Sequence, residues 1–293
     1  MRWNRDQDVS PDIEDRRGES GGGGGFGGGG MRLGLGGIVV LGILSLVFRK
    51  NFFALLDTNS GPPAAVDVTR SGPPPSQSAE DTERVKFVSF VIGDVQRTWE
   101  KEFPKLGGNY RRAKLVLFRD ATRSGCGGFA EAAMGPFYCP ADQKVYLDLG
   151  FFDELRSRFG AAGEFAEAYV IAHEFGHHVQ TLLGIGEKAR RAQAEHPSQK
   201  NEISVQMELQ ADCLAGVWGH STGERGILEK GDVESGLAAA AAVGDDRLQR
   251  AATGRTSPES WTHGSSKART EWFTQGFRTG QVGACDTFAH TPR

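Results

Sequence analysis

The sequence predicts an α+β domain, mostly helical with a small antiparallel sheet, preceded by one transmembrane helix. Three observations carry this. Apolar residues recur at helical spacing in successive long stretches between residues 81 and 280. Residues 114–118 and 133–149 carry instead the short β-branched and aromatic runs of strands, the latter folded about Pro140-Ala141-Asp142-Gln143. Residues 33–48 form an apolar run without a charge, bounded by Arg32 and by Arg49-Lys50.

In chain order, residues 1–30 are polar and end in the glycine tract Gly21–Gly30, broken only by Phe26. Such a segment buries too little apolar surface to order itself, so it reads as a disordered tail and flexible spacer. Residues 31–56 are the anchor. The run 33–48 falls short of the roughly 20 residues of a spanning helix, and Phe52-Phe53-Ala54-Leu55-Leu56 extends it. Residues 57–79, with Gly61-Pro62-Pro63 and Gly72-Pro73-Pro74-Pro75, form an extended, semi-stiff linker. Residues 80–293 are long enough to bury a core of their own.

Asp81 caps a helix whose stripe is Val85, Val88, Val91, Ile92, Val95 and Trp99, and the helix stops before Pro104. Residues 114–118 are a strand, and 133–149 a hairpin whose second arm, Val145 to Asp148, could receive an added strand. Residues 151–159 are a short helix. A further helix runs from Glu164 to its stop at Gly184, followed by a helix and loop around Pro197. Residues 201–218, 232–250 and 265–280 complete the helices, the first stopped by Gly219 and the last anchored by Trp272, Phe273 and Phe277.

Within the helix ending at Gly184, His173-Glu174-Phe175-Gly176-His177 places two imidazoles four residues apart. That spacing is just over one helical turn, so His173 and His177 leave one face and can grip one cation. Glu174 projects beside the metal, where a carboxylate can take a proton from water activated by it. Glu208 and Asp212, one turn apart on the 201–218 helix, supply the remaining parts: the longer Glu208 as third ligand, Asp212 orienting a ligand histidine. Two His and one Glu with an open position form a catalytic zinc set.

Four runs make the chain resemble a known family: His-Glu-Phe-Gly-His-His-Val-Gln, Glu-Leu-Gln-Ala-Asp-Cys-Leu-Ala-Gly-Val-Trp, Ala-Met-Gly-Pro-Phe-Tyr-Cys-Pro-Ala-Asp and Thr-His-Gly-Ser-Ser. The family is the bacterial neutral zinc metallopeptidases, membrane-anchored and gluzincin-like. The likeness implies a zincin-like fold, Zn2+ as cofactor and hydrolysis of a peptide or protein substrate. Gluzincins stabilise the oxyanion with a downstream His or Tyr, which makes His263 the candidate here. His178 points off the ligand face. A catalytically inactive zinc-stabilised binding domain and a zinc amidase acting on a non-peptide amide are the alternatives.

Four cysteines allow three pairings. Cys126 and Cys139 flank the hairpin and close a short loop, leaving Cys213 for Cys285. An even count, no CxxC and a membrane anchor place the domain in an oxidising, extracytoplasmic compartment, behind a single-pass span. A formal charge of −3, from 34 basic and 37 acidic residues with no basic stripe, argues against a nucleic-acid partner.

Overall fold

The computed structural model of the protein describes residues 1–6, 8–19, 78–127, 129–131, 135–160 and 162–289. The membrane anchor expected at 31–56 and nearly all of the 57–79 linker lie outside these residues. Among the described residues, no helix is long and apolar enough to cross a membrane.

Helix α1, Ala79–Glu102, buries Val85, Val88, Val91, Ile92, Val95 and Trp99 along one stripe. Its cap is Ser78, whose Oγ accepts from the Asp81 N–H at 2.9 Å. Asp81 lies three residues further in and pairs with Arg119 instead. The helix tightens into a 3-10 turn at Phe103–Leu106, where Pro104 lacks a donor.

The sheet departs from expectation in two ways. It is mixed, not antiparallel, with strand order β1, β2, β6, β5. Strands β2 (Lys114–Phe118) and β6 (Lys144–Asp148) pair in parallel, and β5 (Phe137–Cys139) returns antiparallel to β6 as the far arm of the predicted hairpin. Strand β1, Ile13–Asp15, comes from the segment read as a disordered tail and pairs in parallel with β2. Low apolar content misled there: the segment is held by Trp3 against Phe87 and Phe90 and by a ladder plus ion pairs. A separate antiparallel pair joins β3 (Ala121–Arg123) to β4 (Phe129–Glu131).

The helices α2 (Gly150–Phe159), α3 (Glu164–Leu182), α4 (Ile185–Glu195), α5 (Lys200–Glu224), α6 (Asp232–Ala242), α7 (Asp245–Thr253) and α8 (Ser266–Thr279) follow. The predicted 232–250 helix is thus two, α6 and α7, broken before Gly244, where a Cβ would meet the Ser266 backbone N at 2.4 Å. Gly219 does not stop α5, because the glycines of that helix serve packing. A Cβ at Gly276 of α8 would stand 1.9 Å from the Cys213 carbonyl, and one at Gly216 would stand 2.2 Å from that of Phe273. A Cβ on Gly176 of α3 would likewise come within 2.9 Å of the Ala211 carbonyl on α5. These contacts let three helices touch backbone to backbone, and the site lies where they meet.

Both expected disulfides are present, Cys126–Cys139 and Cys213–Cys285, with Cα–Cα distances of 5.7 and 5.5 Å. The second closes a separation of 72 residues, a constraint on the unfolded chain of roughly 4 kcal/mol in the chain-entropy model.

Candidate metal centre

His173 and His177 leave the same face of α3, their rings 4.9 Å apart and nearly perpendicular. Close approach of α5 at Gly176 brings Glu208 between them. His173 Nε2 lies 3.2 Å from Glu208 Oε2 and His177 Nε2 lies 3.5 Å from Glu208 Oε1. One ligand atom from each of the three residues falls within 4.8 Å of the others, the one such group among the described residues. Tetrahedral zinc with bonds near 2.0–2.1 Å separates its ligand atoms by about 3.4 Å, so the two His-to-Glu spacings fit the ion.

The partners behind the ligands fix which ring atom faces inward. His173 Nδ1 sits 2.9 Å from Asp212 Oδ1, and His177 Nδ1 sits 2.8 Å from Gln180 Oε1. Each oxygen accepts a hydrogen bond from the Nδ1–H of the neutral ring, leaving the Nε2 lone pair for a cation. Gln180 is itself anchored, its Nε2 donating to the Met207 carbonyl and to Gln210 Oε1 at 2.8 and 3.1 Å.

Asp212, fully buried, is held by Arg269 Nε and an Arg269 terminal nitrogen at 2.8 and 2.9 Å, and by the Tyr169 hydroxyl. Burial opposes its charge, but Arg269 and His173 outweigh it and keep the carboxylate below its usual pKa. Burial likewise raises Glu208, yet His177 and His173 pull it well below the ordinary range. In His173 burial works against protonation, but Asp212 and Glu208 push the imidazole up to about 10.

Glu174 is buried beside the ligands, and desolvation lifts its pKa against the pull of His173 and His177. It lines a cleft of about 600 Å³ together with His173, His177, Glu208 and His263. The sheet reaches the cleft through β5, not β6: Gly135 to Tyr138 line it, and among the described residues β5 is an edge strand, paired with β6 alone. Of the 145–148 arm expected to receive an added strand, Val145 and Tyr146 are paired on both sides, with β2 and with β5, while Leu147 and Asp148 pair with β2.

His263 lines the same cleft. Its Nδ1 is 3.2 Å from Asp245 Oδ1, and Asp245 Oδ2 accepts the N–H groups of Thr262, His263 and Gly264 at 2.8, 2.6 and 2.9 Å. Burial opposes protonation of this ring, but Asp245 and Glu208 raise its pKa. His178 points elsewhere, as expected: its Nε2 donates to the Arg111 carbonyl at 2.7 Å and its Nδ1 faces the Tyr138 hydroxyl.

The sequence model of one family, described as "Putative neutral zinc metallopeptidase", matches residues 1–288. The chain belongs to that family. It is 47% identical over 291 residues to the Escherichia coli (strain K12) protein YpfJ, covering 98% of this chain and 99% of that one. It is 44% identical over 230 residues to Rv2575 of Mycobacterium tuberculosis (strain H37Rv), covering 73% and 75% of the two chains. No solved structure matches the chain. The family's zinc has a place in this member: two imidazoles, each oriented from behind, and a carboxylate.

Gln180, Arg269, Tyr169 and Asp245 escaped sequence reasoning. Gln180 follows His177 by three residues and so shares its helix face, a signal that could have found it. Nothing local marks Arg269 or Asp245, which reach the site through helix packing.

Proposed function

We propose that this protein is a zinc-dependent metallopeptidase acting outside the cytoplasm. The observation that supports it most is the convergence of His173, His177 and Glu208 on one point, with Glu174 buried beside them in an open cleft. A purely structural zinc site closes its fourth position and has no use for such a carboxylate.

Zinc, when bound, polarises a scissile carbonyl and makes water acidic enough to lose a proton near neutral pH. The rest is the work of side chains. Glu174, its pKa lifted by burial, accepts that proton on a carboxylate oxygen and delivers it to the leaving amine. His263, its Nδ1 held by Asp245 and its pKa raised by Asp245 and Glu208 against the effect of burial, donates a hydrogen bond to the oxyanion. A substrate segment laid antiparallel or parallel along β5 would present a peptide bond to the centre, since that edge forms the cleft wall. The two disulfides support an oxidising compartment.

A peptidase assay on a mixed peptide library tests the reading. Cleavage that a chelator abolishes and added zinc restores is the expected result. A zinc-replete protein that cleaves no peptide would favour the inactive binding domain.

A further inference from the structure

The amide oxygen of Gln180 takes the Nδ1–H of His177, so the way that amide faces decides which ring nitrogen is left for a cation. An amide accepts at one end and donates at the other, and either end fits the same space. Turned about, Gln180 would present its NH2 to Nδ1 and favour the wrong tautomer. Only neighbours that cannot donate settle the direction.

Two backbone carbonyls do so. Gln180 Nε2 donates to the Met207 carbonyl at 2.8 Å and to Gln210 Oε1 at 3.1 Å. Gln210 Nε2 in turn donates to the Cys285 carbonyl at 2.9 Å. A carbonyl only accepts, so Cys285 draws the NH2 of Gln210 and turns its oxygen toward Gln180. With Gln210 reversed, two NH2 groups would face each other and its oxygen would face the Cys285 carbonyl. Both amides are buried, where such mismatches are costly.

The Cys285 carbonyl is itself fixed. It ends a 3-10 turn, Val282–Cys285, tied to α5 by the Cys213–Cys285 disulfide. Two residues on, Thr287 Oγ1 donates to the Gln206 carbonyl at 2.7 Å. Gln206, Gln210 and Cys213 recur at helical spacing, so this strap follows one face of α5. Glu208, Gln210 and Asp212 thus serve one centre from a single stretch of helix.

We propose that Gln210 is a positioning residue of the metal centre. Backed by the Cys285 carbonyl, it fixes the Gln180 amide and, through it, the Nδ1–H tautomer of His177, from outside the residues that line the cleft. Its effect on metal rests on the zinc reading above; its effect on the ring does not.

Chelator competition for zinc, with 15N NMR of the histidine rings in the metal-free protein, tests this on the full-length chain. Gln180→Met should lower zinc affinity by about 10–100-fold. Gln210→Met should lower it by about 5-fold, the worth of one net hydrogen bond, because the Met207 carbonyl still holds Gln180. It should also show His177 in both tautomers, where the wild type shows Nδ1–H alone. The double variant should bind zinc no more weakly than Gln180→Met, since Gln210 acts through Gln180. Gln96→Met removes a buried amide from between α1 and β2 and should leave affinity unchanged. Where Gln210→Met fails to fold, Gln210→Asn, too short to span both partners, should act in the same direction. Wild-type affinity or a single Nδ1–H tautomer in the Gln210 variant would overturn the proposal. Additive losses in the double variant, or an equal loss in Gln96→Met, would overturn it too. A wild type that binds no zinc would sink the proposed function, and the tautomer spectra alone would then decide the role of Gln210.

Discussion

Asp212 Oδ1 lies 2.9 Å from Nδ1 of His173, while the Glu208 carboxylate, one turn earlier on α5, faces the other nitrogen of the same ring. The two acids therefore have different tasks. Glu208→Ala should purify nearly free of zinc. Asp212→Asn should keep the metal with affinity lowered by about 10–100-fold, the usual cost of losing a partner behind a ligand. Competition with a chromophoric chelator measures both, and a reversed order would make Asp212 the ligand.

Arg269 Nε lies 2.8 Å from Asp212 Oδ2, and both side chains are buried. Arg269→Met leaves a buried carboxylate without its partner, which costs about 3–5 kcal/mol. Denaturant unfolding of the metal-free protein should show that loss, and it should shrink in the Arg269→Met/Asp212→Asn double variant. Equal losses in single and double variants would show that the pair is not coupled.

Zinc affinity should depend on pH through His173. The metal takes the neutral ring, and without metal the ring has a pKa of about 10. At any pH below that value the metal displaces a proton, so affinity rises with pH by about tenfold per unit while this one proton is released. The gain ends as pH passes the pKa. Chelator competition at several pH values between 6.5 and 9 should give that slope, and a flat profile would show His173 already neutral.

Helix by helix, much of this was legible in the sequence. The spacing of His173 and His177 is a local property of one helix, as is that of Glu208 and Asp212, and the disulfides followed from the short loop that Cys126 and Cys139 close around the hairpin. What was hidden depended on contacts between distant segments. Strand β1 carries only Ile13 as an apolar residue and is specified by its partner β2 and by Asp12, Glu14 and Lys144. Gly219 reads as a helix stop but lies within α5, packed against Phe277, and α6 and α7 part where the chain must clear Ser266. Arg269 and Asp245 become visible only when α8 and α7 dock.

His263 and Asp245 should act together on turnover and not on metal. His263→Ala should lower kcat by about 10²–10³-fold, the range for loss of an oxyanion donor. Asp245→Asn should lower it less and shift the pH profile of kcat to lower pH on its alkaline side, since the raised His263 pKa then falls. Zinc content should stay unchanged in both, and loss of metal in His263→Ala would assign that ring to the coordination set.

The central claim is that Glu174 is the base of a hydrolytic zinc centre and not part of a structural one. Glu174→Gln keeps the shape and the ligand set but cannot accept a proton. Zinc content and peptide hydrolysis measured on the same preparation should show full metal occupancy with hydrolysis lost. Hydrolysis at the wild-type rate by the zinc-loaded Glu174→Gln protein would contradict the account.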